Sequence, residues 1–285
     1  MKKMIGILFI FFGVLILLGL FVNSNIGNRF TSSNQHESAD LSGIKTIDVD
    51  SSSAYVHVIP SKRNDLEAAL NGHKFRMTVN HEGDTIKVDI KHKWLNFLPF
   101  WKPSTLNIYI PEDYNKNMDL STGSGNVKFN GETMNLNRLK LNVHSGNIVL
   151  KNLHISHLYN NTLSGNFNGD HLITKTTSLD IKSGNINLSS FTGELNGKVL
   201  SGHLSAQFDQ LNDPIHLDVK SGDATLKFPK NADFTLNAHT ISGKVNCDIP
   251  LQKAKVNDDN IVNGSYGTGK YPVKLNVTSG KINIY

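Results

Sequence analysis

Hydrophobic and polar residues alternate with a period of two through most of the chain after residue 40, as in Leu141-Asn-Val143, Leu179-Asp-Ile181, Leu217-Asp-Val219 and Leu275-Asn-Val277. That period belongs to strands with one face buried. The alternation is interrupted by Ser-Gly at 124–125, 145–146, 164–165, 183–184, 201–202, 221–222, 242–243 and 279–280, at intervals of 21, 19, 19, 18, 20, 21 and finally 37 residues. After most pairs comes one polar residue and then renewed alternation, as in Asn185-Ile186-Asn187-Leu188. Each unit therefore reads as strand, turn, strand, with glycine freeing the backbone at the corner. One unit of about 20 residues cannot bury its apolar face alone, whereas stacked copies share a continuous core. The pattern predicts an all-β fold, with a β-solenoid-like repeat region over residues 115–285.

Register makes further expectations specific. Asn126, Asn147, Asn166 and Asn185 follow the first four of these Ser-Gly pairs, then His203, Asp223, Lys244 and Lys281. Stacked coils would place the four asparagines in a column whose amides bond along the axis. Cys247 falls where other units carry Phe129, Leu150 or Leu226, so a core column is its expected home. The long last interval contains Pro250 to Pro272, whose glycines and Asn-Asp-Asp-Asn string predict a loop or excursion hairpin.

Residues 41–114 form a first β region, with strand patterns at 44–50, 54–59, 75–79, 85–90 and 105–110. Pro60 and Pro111 suit strand exits. The segment from Arg63 to Leu70 is its one substantial helix candidate. Between two of the strand patterns, Trp94-Leu-Asn-Phe97-Leu-Pro-Phe100-Trp101 concentrates both tryptophans of the chain beside Lys91, Lys93 and Lys102. Two readings of this loop stand side by side: a plug over one end of the β core, or a contact surface for a membrane interface or partner in which Trp94, Phe97, Phe100 and Trp101 make the contact.

Ahead of the alternation lies a different pattern. Residues 5–22 contain no charge, and as a helix they rise about 27 Å, close to a hydrocarbon core of about 30 Å. Lys2 and Lys3 precede the run, so the expected arrangement is a cytoplasmic tail at 1–4 and a transmembrane helix at 5–22, with the remainder outside the cytoplasm. Signal cleavage is the competing reading, although no Ala-x-Ala follows the apolar run. Residues 23–40, polar and without period, are expected to be a flexible stalk.

Composition narrows the chemistry. The 285 residues carry 29 basic and 24 acidic side chains; three of the basic ones, Lys2, Lys3 and Arg29, flank the apolar run, leaving 26 against 24. This near balance does not suit nucleic-acid binding. A lone cysteine excludes an intramolecular disulfide. No G-x-S-x-G elbow, H-E-x-x-H pair or P-loop is present, and the repeated Ser-Gly pairs argue against singling out one serine as a nucleophile. His154 and His157 have H-x-x-H spacing without a nearby carboxylate or cysteine. Asp180, Asp218 and Asp223 are candidates for acid/base work on a polysaccharide only if the fold brings them into one cleft. No cofactor or metal is implied.

Several of these features together carry a family resemblance: Lys2-Lys3 with the apolar run, the early Ile47-Asp-Val-Asp-Ser-Ser-Ser-Ala-Tyr-Val-His-Val58, Leu106-Asn-Ile-Tyr-Ile-Pro111, the Ser-Gly turns and the closing Gly269 to Ile284 segment. With these, the chain resembles the LiaG-type proteins of Gram-positive bacteria, within the broad putative-adhesin family of β-repeat domains. The resemblance implies a membrane-tethered extracytoplasmic domain linked to the cell-envelope stress response, with no catalytic residue to carry over. The expected function is that of a noncatalytic envelope accessory protein. It would be held in the lipid bilayer through residues 5–22 and would bind a membrane protein or cell-wall polymer. A structural surface scaffold or adhesin is the alternative, and a polysaccharide-active enzyme a more distant one.

Overall fold

Each coil returns to a serine-glycine corner, and the computed structural model, which describes residues 34–72, 75–92, 104–257 and 260–285, stacks those corners one on another. The strands are β1 (Gln35–Asp40), β2 (Thr46–Ser51), β3 (Tyr55–Ser61), β4 (Asp65–Asn71), β5 (Phe75–Glu82), β6 (Thr85–His92), β7 (Thr105–Pro111), β8 (Asn117–Thr122) and β9 (Val127–Ser145). They continue as β10 (Ile148–Ser164), β11 (Phe167–Ser183), β12 (Ile186–Ser201), β13 (Leu204–Gln210), β14 (Ile215–Ser221), β15 (Ala224–Lys227), β16 (Phe234–Cys247), β17 (Gln252–Asn257), β18 (Ile261–Tyr266) and β19 (Tyr271–Ile284). All belong to one continuous sheet, and β9 to β12 pair in parallel, one coil on the next.

A single long strand can complete a coil because it bends. In β10 the buried side chains are Ile148, Leu150, Leu153, Ile155, Leu158, Asn160 and Thr162. The step is two residues except from Leu150 to Leu153 and from Ile155 to Leu158, where two successive side chains face outward and the chain turns. At the first bend Asn152, His171 and Ser190 stand in register with φ of 52°, 50° and 51°. A left-handed backbone there suits short polar side chains, and asparagine best of all.

Coil order along the stack departs from chain order at the carboxyl end. β19 lies between β14 and β16, pairing in parallel with both. The last two corners are therefore exchanged in space: Gly280 sits on Gly222, and Gly243 on Gly280. This accounts for the 37-residue interval. The chain passes β19's slot, lays down β16, turns back through the antiparallel β17–β18 hairpin and then fills the slot. The expected excursion hairpin is present, and β18 pairs with the outer edge of β16. An edge left open there would invite pairing with another chain.

The core is a single cluster running through all coils. Toward the carboxyl end it contains an aromatic file, Phe191, Phe208, Phe228, Phe234 and Tyr266, with successive ring centroids 5.6, 5.5, 4.9 and 5.9 Å apart. Cys247 is in register with Ile284 and packs against this core, half-buried because it lies near the end of the stack. Burial pushes its thiol pKa up.

Two sequence expectations are corrected. The stalk expected at 23–40 does not extend to residue 40: β1 occupies Gln35–Asp40, each residue paired antiparallel with β4. An edge strand needs few apolar side chains, because pairing satisfies its backbone on one side while water serves the other. The helix expected from Arg63 to Leu70 is instead β4. Leu66, Ala68 and Leu70 point inward at the strand period, and pairing with β1 and β7 overrides the helical preference of its alanines. Residues 41–114 and 115–285 form one stack, since β2 pairs with β8 and β3 with β9. Among the described residues no helix is long and apolar enough to cross a membrane; the transmembrane helix expected at 5–22 lies outside the described residues.

Candidate functional site

The corner column is the most regular feature of the molecule. The backbone N–H groups of Asn147, Asn166, Asn185 and His203 donate to the side-chain oxygens of Asn126, Asn147, Asn166 and Asn185, at 2.8, 3.2, 3.1 and 3.0 Å. The Nδ2 groups of Asn166 and Asn185 donate to the same oxygens at 3.0 and 3.1 Å. The ladder continues through His203 Nδ1 and Asp223 Oδ1, which accept from the N–H groups of Asp223 and Lys281. Its oxygens are therefore occupied in holding one coil to the next.

The other sequence candidates separate. His154 contacts Asn135 at 3.2 Å, while His157 contacts Thr176 at 2.9 Å. Among the described residues no three His, Cys, Asp or Glu side chains are grouped to hold a metal. Asp223 is part of the corner ladder. Asp180 and Asp218, by contrast, face outward on coils two apart, with Lys198 in register between them.

These three residues line both halves of a groove on one face of the stack. One depression, of about 400 Å³, is bounded by Asp180, Lys182, Lys198, Leu200, Asp218, Lys220, Asn276 and Thr278. The adjoining one, of about 360 Å³, adds Ser178, Asn196 and His216. Asp180 pairs with Lys182 Nζ at 3.0 Å. Asp218 faces His216 Nε2 at 3.1 Å and accepts from Asn276 Nδ2 at 2.9 Å. Each carboxylate thus already has a side-chain partner of its own. Farther along the same face Asp48 is half-buried, and burial first, then neighbouring Asp119, pushes its pKa up. Asp119 is itself paired with Arg138 at 3.0 Å.

Sequence reasoning missed the groove's Lys198, Leu200, Lys220 and Asn276. A signal existed. The residue just before the serine of each corner is Leu163, Leu200 or Ile241 in some coils and Gly123, His144, Lys182, Lys220 or Thr278 in others, although alternation points this position to solvent.

Trp94, Phe97, Phe100 and Trp101 lie outside the described residues, but the ends that bracket them are defined. β6 and β7 stack on β2 and β3, which puts His92 and Ser104 at one corner of the outer coil at the amino end. Ser52 Oγ donates to Ile90 O at 2.8 Å, and Tyr55 N to Ser104 O at 2.9 Å. The first described strand starts at this same corner. Gln35 pairs with Leu70, its amide accepts from Met77 N and donates to Phe75 O, both at 2.9 Å, while Phe75 pairs with His92 and Asn71 with Thr105.

Together the stacked corners, bent coils and closed carboxyl edge define a largely parallel, solenoid-like β-repeat protein with an outward-facing charged groove. The chain belongs to the Toastrack DUF4097 family, whose model matches residues 44–285. Among solved structures it is similar to a putative adhesin from Bacteroides fragilis, 11% identical with a TM-score of 0.52, the match covering 89% of this chain and 97% of that one. A putative adhesin from Parabacteroides distasonis is 13% identical with a TM-score of 0.47, covering 90% and 97%. A putative lipid binding protein from the same species is 12% identical with a TM-score of 0.36, covering 88% and 96%. The Bacteroides likeness shows a shared fold. No catalytic family is indicated, and no curated protein matches in sequence.

Proposed function

We propose that this protein is a noncatalytic binding protein of the cell envelope, of the LiaG type and linked to the envelope stress response. Residues 5–22 span the cell membrane once with the amino end cytoplasmic, and the β domain stands outside. Trp94, Phe97, Phe100 and Trp101 contact the membrane or a membrane protein. The observation that carries this reading is the shared corner: the strand leading back toward residues 5–22 and both ends of the 93–103 segment meet at the amino end of the stack. A tether leaving from that corner brings any group beside it to the bilayer surface, where tryptophan beside lysine is favoured. Tethering also raises the domain's effective concentration near envelope partners. A surface scaffold is the second reading, favoured by the corner ladder, whose oxygens serve the stack itself.

The test uses the full-length protein in intact cells and in reconstituted vesicles. Protease added to spheroplasts should remove the β domain and leave a small amino-terminal membrane fragment. In vesicles, lipid-resident quenchers should reduce tryptophan fluorescence, and Trp94→Ala with Trp101→Ala should weaken peripheral contact while leaving the melting temperature nearly unchanged. A domain digested only after lysis would overturn the topology. Tryptophans untouched by lipid or envelope extract, with a large melting-temperature loss in the double variant, would mark the segment as a plug.

A further inference from the structure

We propose that the groove on β11, β12, β14 and β19 binds an acidic glycan, a chain of sugar units bearing carboxylate or phosphodiester groups, laid along the axis of the stack. The inference rests on the binding reading above and supplies its ligand class.

From the second corner onward, the residues just before the corner serines form a column. In spatial order it runs His144, Leu163, Lys182, Leu200, Lys220, Thr278 and Ile241, one residue per coil. Leu163, Leu200 and Ile241 are 42, 53 and 68% exposed. Two residues back along the strands, a second outward column runs Asp180, Lys198, Asp218 and Asn276. Lys182, Lys198 and Lys220 therefore zigzag around exposed Leu200, one cation on each of three successive coils about 4.8 Å apart.

Their charges are not equivalent. Lys182 is paired with Asp180, and Asp218 is held by His216 and Asn276. Lys198 and Lys220 have no ion pair or hydrogen bond among the described residues, although both line the groove. The groove thus presents two free ammonium groups across an aliphatic side chain, with Asn276 and Thr278 beside them as hydroxyl partners. That set matches an anionic sugar: charge on the lysines, ring C–H groups on Leu200, hydroxyls on the amide and threonine. A cavity of about 400 Å³ lies toward the small end of ligand sites and suits a short saccharide segment.

Other polyanions fit less well. A flat anionic bilayer would meet Asp180 and Asp218 together with the lysines and could not enter the recess. Single-stranded nucleic acid requires aromatic stacking platforms, and the groove lining contains none.

The test is calorimetric titration of the full-length chain in nonionic detergent with oligogalacturonate as the carboxylate probe, a phosphodiester-linked hexose oligomer as the phosphodiester probe, dextran as the neutral control, and anionic vesicles. At least one acidic polymer should bind, more weakly as salt rises, while dextran does not. Lys198→Gln with Lys220→Gln should weaken that binding about tenfold or more at an unchanged melting temperature, as loss of two charge-assisted contacts requires. Lys128→Gln, on the asparagine face, should leave it intact. The proposal is overturned if neither acidic polymer binds, if binding survives the double substitution, or if only vesicles respond to it. Trp94→Ala with Trp101→Ala reports separately on the membrane contact: loss of vesicle association there with glycan binding retained, or the reverse, shows which of the two readings fails.

Discussion

A glycine at a corner meets two constraints, and Gly184 shows both. Its φ is 137°, which an L side chain rarely adopts, and a Cβ there would overlap the carbonyl oxygen of Gly165 on the coil before. Gly184→Ala should therefore cost about 2–4 kcal/mol, from backbone strain together with forced separation of two coils. Chemical denaturation checks this against Ser183→Ala at the preceding, exposed serine, which should change stability by less than about 0.5 kcal/mol. Equal effects of the two substitutions would show that the corners are not in contact. This level of detail was legible in sequence because it recurs: Ser-Gly at a near-constant interval announced the corner, and asparagine after it announced the ladder. The groove was not, because Asp180, Lys198, Asp218 and Asn276 are far apart along the chain and meet only through strand register.

Strand order and end protection are properties of whole elements, and here sequence reading did worst. β1 and β4 were hidden by composition, one too polar and the other too rich in alanine, yet both are fixed by a neighbour's unpaired backbone. The hairpin β17–β18 could be read as an excursion, but not as the element that pairs along the outer edge of β16. Its attachment depends on packing as well as pairing. Phe234 is fully buried between Phe228 and Tyr266, at centroid distances of 4.9 and 5.9 Å. Phe234→Ala should destabilise the protein by about 3–5 kcal/mol. Hydrogen exchange should then show early loss of protection in β16 and β18, ahead of β10 and β11. Uniform loss along the stack would mean that the hairpin is not a separately anchored cap.

At the scale of the molecule, one sheet and one core run from the outer coil at the amino end to the hairpin at the other, with no break near residue 114. The two proposed activities occupy different parts of this stack: membrane contact at the amino-terminal corner, glycan binding on the face nearer the carboxyl end. β19, inserted beside β14, completes one side of the groove by bringing Asn276 and Thr278 next to Asp218 and Lys220. Coil order is therefore the claim on which both the fold and the site depend, and disulfide trapping tests it directly. In a Cys247→Ser background, His216→Cys with Lys274→Cys places thiols on adjacent strands about 4.8 Å apart, within bridging range, whereas His216→Cys with Asn237→Cys leaves them two strands apart, beyond it. Mild oxidation should link residues 216 and 274 and leave 216 and 237 unlinked; the opposite outcome would mean that the coils stack in chain order and that Asn276 and Thr278 do not line the groove.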